Sequence, residues 1–90
     1  MSEVREEIDR IDRLIVPLLL ERVHYINEAG RIKNSRDKVR DNDRVEEVVA
    51  KAKAVAQELQ GNDAYIEDIY RHLIEWSINH EYGVWDKEHD

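Results

Sequence analysis

Ninety residues with one proline, three glycines, 41% apolar content and abundant Glu, Lys, Arg, Ala and Leu predict one compact, mostly helical domain spanning residues 1–90. A formal net charge of −7 disfavours nucleic acid as a partner, because a polyanion needs a basic face. The absence of cysteine excludes disulfides, thiolate nucleophiles and sulfur-rich metal sites, while charges throughout residues 1–20 and the lack of a long apolar run predict a cytoplasmic protein with no signal peptide and no membrane span.

From Glu3 to about Ile32, the positions Val4, Ile8, Ile11, Ile15, Leu18, Ile26 and Ala29 follow the three-four spacing of one helix face. Pro17 interrupts this register with a residue that removes a helical hydrogen bond. The apolar phase nevertheless passes from Ile15 to Leu18 without turn residues, which favours one kinked helix over two. Thirty residues at about 1.5 Å each span roughly 45 Å, against a radius of gyration of about 12 Å for a compact chain of this length. Such a helix protrudes from its own fold, and a homodimer in which two long helices share apolar faces would cover it.

The polar break "NSRDKVRDND" follows, and Asp41 or Asn42 caps a second helix running to about Gln60 on Val45, Val48, Ala52, Val55 and Leu59. Gly61 is the expected terminator. Asn62 or Asp63 opens a third helix with the stripe Ile66, Ile69, Leu73, Ser77, His80 or Glu81, and Val84. Nothing alternates as a strand, so the fold class is all-α, a three-helix chain with a long first helix. Trp76, Trp85, Tyr65 and Tyr70 read as packing residues and Val45 as core.

Arg22 and Lys33 occupy positions where the first stripe calls for leucine. They differ by only about 20° around the helix and about 16 Å along it, so they point the same way and can lean towards a small molecule between them. Arg5 lies about 25 Å from Arg22 along a continuous helix and reaches the same site only from a second chain. Ser77 and Glu81 stand one turn apart at inward positions of the third helix, and Arg44 adds a cation in the first turn of the second.

Each residue alone has a plain explanation. Arg22 could snorkel at an interface edge, and Lys33 suits a helix C-terminus. Arg44 could be a solvated charge, Glu81 the exposed neighbour of a buried His80, and Ser77 a filler bonded to its own backbone. Their coincidence on the inward faces of three helices is what makes a polar site the better reading, since unpaired buried charge is costly. Competing chemistries lack parts. Glu21 and His24 form one Glu-x-x-His pair where a di-metal bundle needs two, His72 and His80 are too far apart to share a metal, and Ser77 with His80 has no oxyanion turn. No metal or cofactor is called for.

The stretches "VREEIDRIDRLIVPLLLERVHYINEAGRIK", "VRDNDRVEEVV" and "IYRHLIEWSINHE" resemble the small all-helical chorismate mutases over nearly the whole chain. The resemblance implies an intertwined homodimer that converts chorismate to prephenate on the way to phenylalanine and tyrosine, with composite active sites. It implies that Arg5 of one protomer, with Arg22 and Lys33 of the other, binds substrate carboxylates, and that Lys33 also lies near the breaking ether bond. Arg44 would add a carboxylate contact, Asp41 would sit near the substrate hydroxyl, and Ser77 would line the pocket. Two positions depart from the family pattern. Val45 replaces a frequent glutamate that contacts the hydroxyl, and Glu81 replaces a frequent glutamine that donates to the ether oxygen. The aromatic ending "EWSINHEYGVW" is also similar to the related isochorismate pyruvate-lyases, which keeps that activity, and a non-catalytic helical interaction module, as alternatives.

Overall fold

The computed structural model describes residues 1–90. Helix α1 runs Ser2–Ile32, a single 3-10 turn covers Arg36–Lys38, α2 runs Asn42–Glu58 and α3 runs Asp63–Glu88. Pro17 lies inside α1 and does not divide it. The helix thus carries the proline through without a break, despite a local penalty of about 3 kcal/mol. No helix is long and apolar enough to cross a membrane.

The body of the molecule is built from the C-terminal half of α1, α2 and α3. Val39, Val49, Ile74 and Ile78 form its buried centre, with Val45, Val48, Tyr70, Tyr82 and Trp85 packed around them. The N-terminal part of α1 stands away from this body: no residue before Gly30 is buried, and residues 1–21 are exposed throughout. The stripe residues Val4, Ile8, Ile11, Ile15 and Leu18 are thus left exposed by their own chain. The molecule is 50 Å along its longest axis with a radius of gyration of 15.8 Å, well above the roughly 12 Å of a compact chain.

The helix stripes differ in register from expectation. In α2 the buried residues are Val49 and Ala56, and Leu59 is 77% exposed. In α3 they are Ile74, Ser77, Ile78 and Glu81, while Ile69 is exposed. The cause is that α3 is covered on two sides, by α1 and by α2, so a single stripe drawn through it misses the face centred on Ile74 and Ile78. Trp76 and Tyr65 are exposed instead of packed, Trp76 lying flat on His80 with ring centroids 4.9 Å apart. Tyr70 and Trp85 do pack on the core.

Asp41 caps α2 by accepting from the Arg44 backbone N–H at 3.1 Å, and Asn62 caps α3 by accepting from that of Tyr65 at 3.0 Å. The end of α2 corrects the sequence expectation. The Gly61 N–H bonds to the Ala56 carbonyl at 2.8 Å and the Gln60 N–H to that of Gln57 at 3.0 Å, the pair of bonds that closes a helix through one left-handed residue. That residue is Gln60, at φ 58, and Gly61 follows it. A side chain there costs about 1–2 kcal/mol, offset in part by the greater unfolded-state freedom of glycine. Gln60→Gly is therefore expected to raise Tm by a few degrees, measured by thermal melting against the parent at equal protein concentration.

Candidate active site

A cavity of about 390 Å³ opens between the C-terminal half of α1, the segment that joins it to α2, the first turns of α2 and the middle of α3. Its size suits a small molecule. Arg22, Lys33, Asp41, Arg44, Val45, Ser77 and Glu81 all line it. Arg5 does not, because it sits on the protruding arm.

The helical phase of α1 carries Arg22, Ile26, Ala29 and Lys33 to the same wall. Arg22 donates from Nη1 to Ser77 Oγ at 2.8 Å, and Ser77 Oγ in turn donates to the Leu73 carbonyl one turn back at 2.8 Å. The serine proton is committed to its own helix, so Ser77 serves the site as an acceptor that orients the guanidinium. It is neither a nucleophile nor a plain filler. Deeper in the cavity the Lys33 ammonium is ion-paired with Glu81, which is only 5% exposed. Glu81, not His80, is therefore the inward residue of this turn. His80 is half-buried on another side of α3, where its Nε2 and Asn27 Oδ1 are 2.7 Å apart.

Arg44 projects from the first turn of α2 and pairs with Glu47, with both side chains more than half exposed. A pair of this kind contributes little, about 0–1 kcal/mol, so Arg44 can exchange Glu47 for an incoming carboxylate at small cost. Hydrogen bonds from Arg44 and Lys51 hold the Glu47 carboxyl below its ordinary range, so Glu47 stays ionised. Asp41 uses Oδ1 as the helix cap, and its second carboxylate oxygen remains available to a hydroxyl. Val45 presents only methyl groups beside it. Lys38, which no spacing argument singled out, is the fourth cation of the cavity. It lies in the 3-10 turn, where helical periodicity gives no indication of which way a side chain faces.

The spacing of α1 and α3 at the Lys33–Glu81 pair is set by Gly30. A Cβ placed there would lie 2.9 Å from Val84 Cγ1 and 3.2 Å from the Glu81 carbonyl oxygen. The glycine to alanine change gains about 1 kcal/mol of helix propensity, but overpacking of this kind costs about 1–3 kcal/mol. Gly30→Ala is thus expected to lower Tm slightly and, by moving Lys33 relative to Glu81, to reduce turnover by at least about tenfold. Steady-state kinetics and thermal melts on the same sample check both. A stabilised variant with unchanged turnover would show that the helices have room to spare.

The arrangement gathers several cations, an acceptor-fixed guanidinium and a buried carboxyl around a space with no nucleophile, which suits binding and electrostatic stabilisation of an anionic molecule that reacts within itself. Residues 4–82 match the chorismate mutase type II family. A curated relative, isochorismate pyruvate lyase from Pseudomonas aeruginosa, is 33% identical over 86 residues, which cover 94% of this chain and 84% of that protein. The chain belongs to the chorismate mutase type II family.

Proposed function

We propose that the protein converts chorismate to prephenate by a unimolecular [3,3] rearrangement, as a homodimer with composite active sites. The observation that carries this reading is the convergence of Arg22, Lys33, Arg44 and Glu81 on one cavity inside an acidic protein. A dicarboxylate accounts for such a concentration of cations, and the reaction needs no base, nucleophile, metal or organic cofactor. Binding the flexible side chain of the substrate in a compact chair supplies orientation. Donors at the ether oxygen stabilise the charge that develops as the bond breaks. An acceleration of about a million-fold requires roughly 8 kcal/mol of preferential stabilisation, within reach of a few preorganised contacts.

A second reading is the elimination of pyruvate from isochorismate to give salicylate. The Pseudomonas relative supports it. Both substrates carry a ring hydroxyl, to which Val45 offers no partner and Asp41, beside it, an acceptor. Incubation with chorismate and, separately, isochorismate, following prephenate in one case and salicylate with pyruvate in the other, decides between them. Turnover of neither would leave a helical interaction module.

The dimer rests on the uncovered apolar stripe of α1 and on the position of Arg5, remote from the cavity of its own chain. Mixing an Arg5→Ala chain with an Arg22→Ala chain should restore activity, because each mixed dimer would regain one intact site. Continued inactivity after demonstrated subunit exchange would reject the shared site.

A further inference from the structure

We propose that Lys38 is a ligand for a substrate carboxylate, a member of the binding site contributed by the segment that joins α1 to α2. The assignment rests on the dicarboxylate substrate proposed above. The segment is fastened to α3 on both sides of Lys38. Trp85 donates its indole N–H to the Lys33 carbonyl at 3.1 Å. Arg36 donates to Asp86 at 2.9 Å and lies 4.4 Å from the centre of the Tyr82 ring. Beyond Lys38, Val39 is 3% exposed within the core, and Arg40 donates twice to Glu75 at 2.9 and 2.8 Å. The backbone that carries Lys38 is thereby held at the cavity wall.

Within this fastened segment the charged side chains are otherwise engaged. Lys33 pairs with Glu81, Arg36 with Asp86 and Arg40 with Glu75. Asp37 accepts from Ser35 and Asp41 caps α2. Lys38 alone forms no ion pair and no side-chain hydrogen bond, and with Lys33 and Asp41 it lines the cavity beside Arg22 and Arg44. Placing an unpaired cation among other cations is unfavourable unless an anion joins them. Of the four cations in the cavity, Lys33 and Arg44 hold carboxylates of the protein, which leaves Arg22 and Lys38 uncommitted. A dicarboxylate presents two groups to match.

The carboxylates keep their charge as the rearrangement proceeds, so a contact with one of them stabilises ground state and transition state alike. Lys38 accordingly governs affinity, in contrast to Lys33, which faces the developing charge. The test is steady-state kinetics on the full-length protein, wild type first, with prephenate titrated calorimetrically into each variant. Lys38→Ala is expected to raise KM and the prephenate Kd by about tenfold, with kcat within twofold. Lys38→Arg should remain near wild type, and Lys38→Glu should raise KM further. Unchanged KM and Kd in Lys38→Ala and Lys38→Glu, with an active wild type, would overturn the assignment and return Lys38 to the solvated surface. A wild type that neither turns over chorismate nor binds prephenate would instead defeat the mutase reading itself. Lys38 is exposed, so its replacement removes no core contact, and circular dichroism checks that each variant is folded.

Discussion

Replacement of Lys33 by Ala is expected to lower turnover by about a hundred-fold or more, as for loss of one preorganised donor at a site of developing charge. From sequence alone the same substitution is expected to leave thermal stability nearly unchanged, but the structure revises that part. Lys33 is the counter-ion of Glu81, whose side chain is only 6% exposed against 29% for Lys33. Removing one partner of a buried pair leaves the other unsatisfied, at a cost that reaches about 3–5 kcal/mol when both are fully enclosed. The partial exposure of Lys33 discounts this, so a drop of several degrees in Tm is expected. Two causes of inactivity then have to be separated. The double variant Lys33→Ala with Glu81→Gln removes the uncompensated carboxylate and should recover most of the lost Tm, while turnover stays low. If turnover recovers together with Tm, Lys33 acts by holding the fold and not on the reaction.

Residues that violate a helical pattern are the ones sequence reading finds most readily. Arg22, Ser77 and Glu81 announce themselves because each takes a place where an apolar side chain would fill the interior, and all three line the cavity. Lys38 carries no such mark. In "NSRDKVRDND" nearly every residue is polar, so charge distinguishes none of them, and only the folded segment shows that Arg36 and Arg40 turn to α3 while Lys38 lines the cavity. The burial of Ile74 and Ile78 was hidden for a related reason, since a helix packed on two sides has no single stripe. The arm of α1 presents the reverse case: its apolar residues are plain in the sequence, but its own chain never covers them. Gln60 shows a local limit as well. A glycine next to the end of a helix signals the turn, but the left-handed position falls one residue earlier.

Glu81→Gln is expected to keep activity, although Glu81 is the sharpest departure from the family pattern. A carboxylate has only acceptors, whereas an amide can donate. At the ether oxygen a carboxylate would repel the charge that the transition state develops, and it retains Lys33 in the pair seen in the structure. Glutamine places a permanent donor at the same position and leaves the Lys33 ammonium free to act as a second. Ser77 cannot take over, because its proton is given to the Leu73 carbonyl. Initial rates of both proteins under the same conditions provide the measurement. Because α3 carries Glu81 into the cavity, a Glu81→Gln protein that loses its turnover could not be explained by a mistaken helix register. It would mean that the substrate lies with its ether oxygen turned from Glu81, and that the reaction needs the carboxylate to hold Lys33 in place.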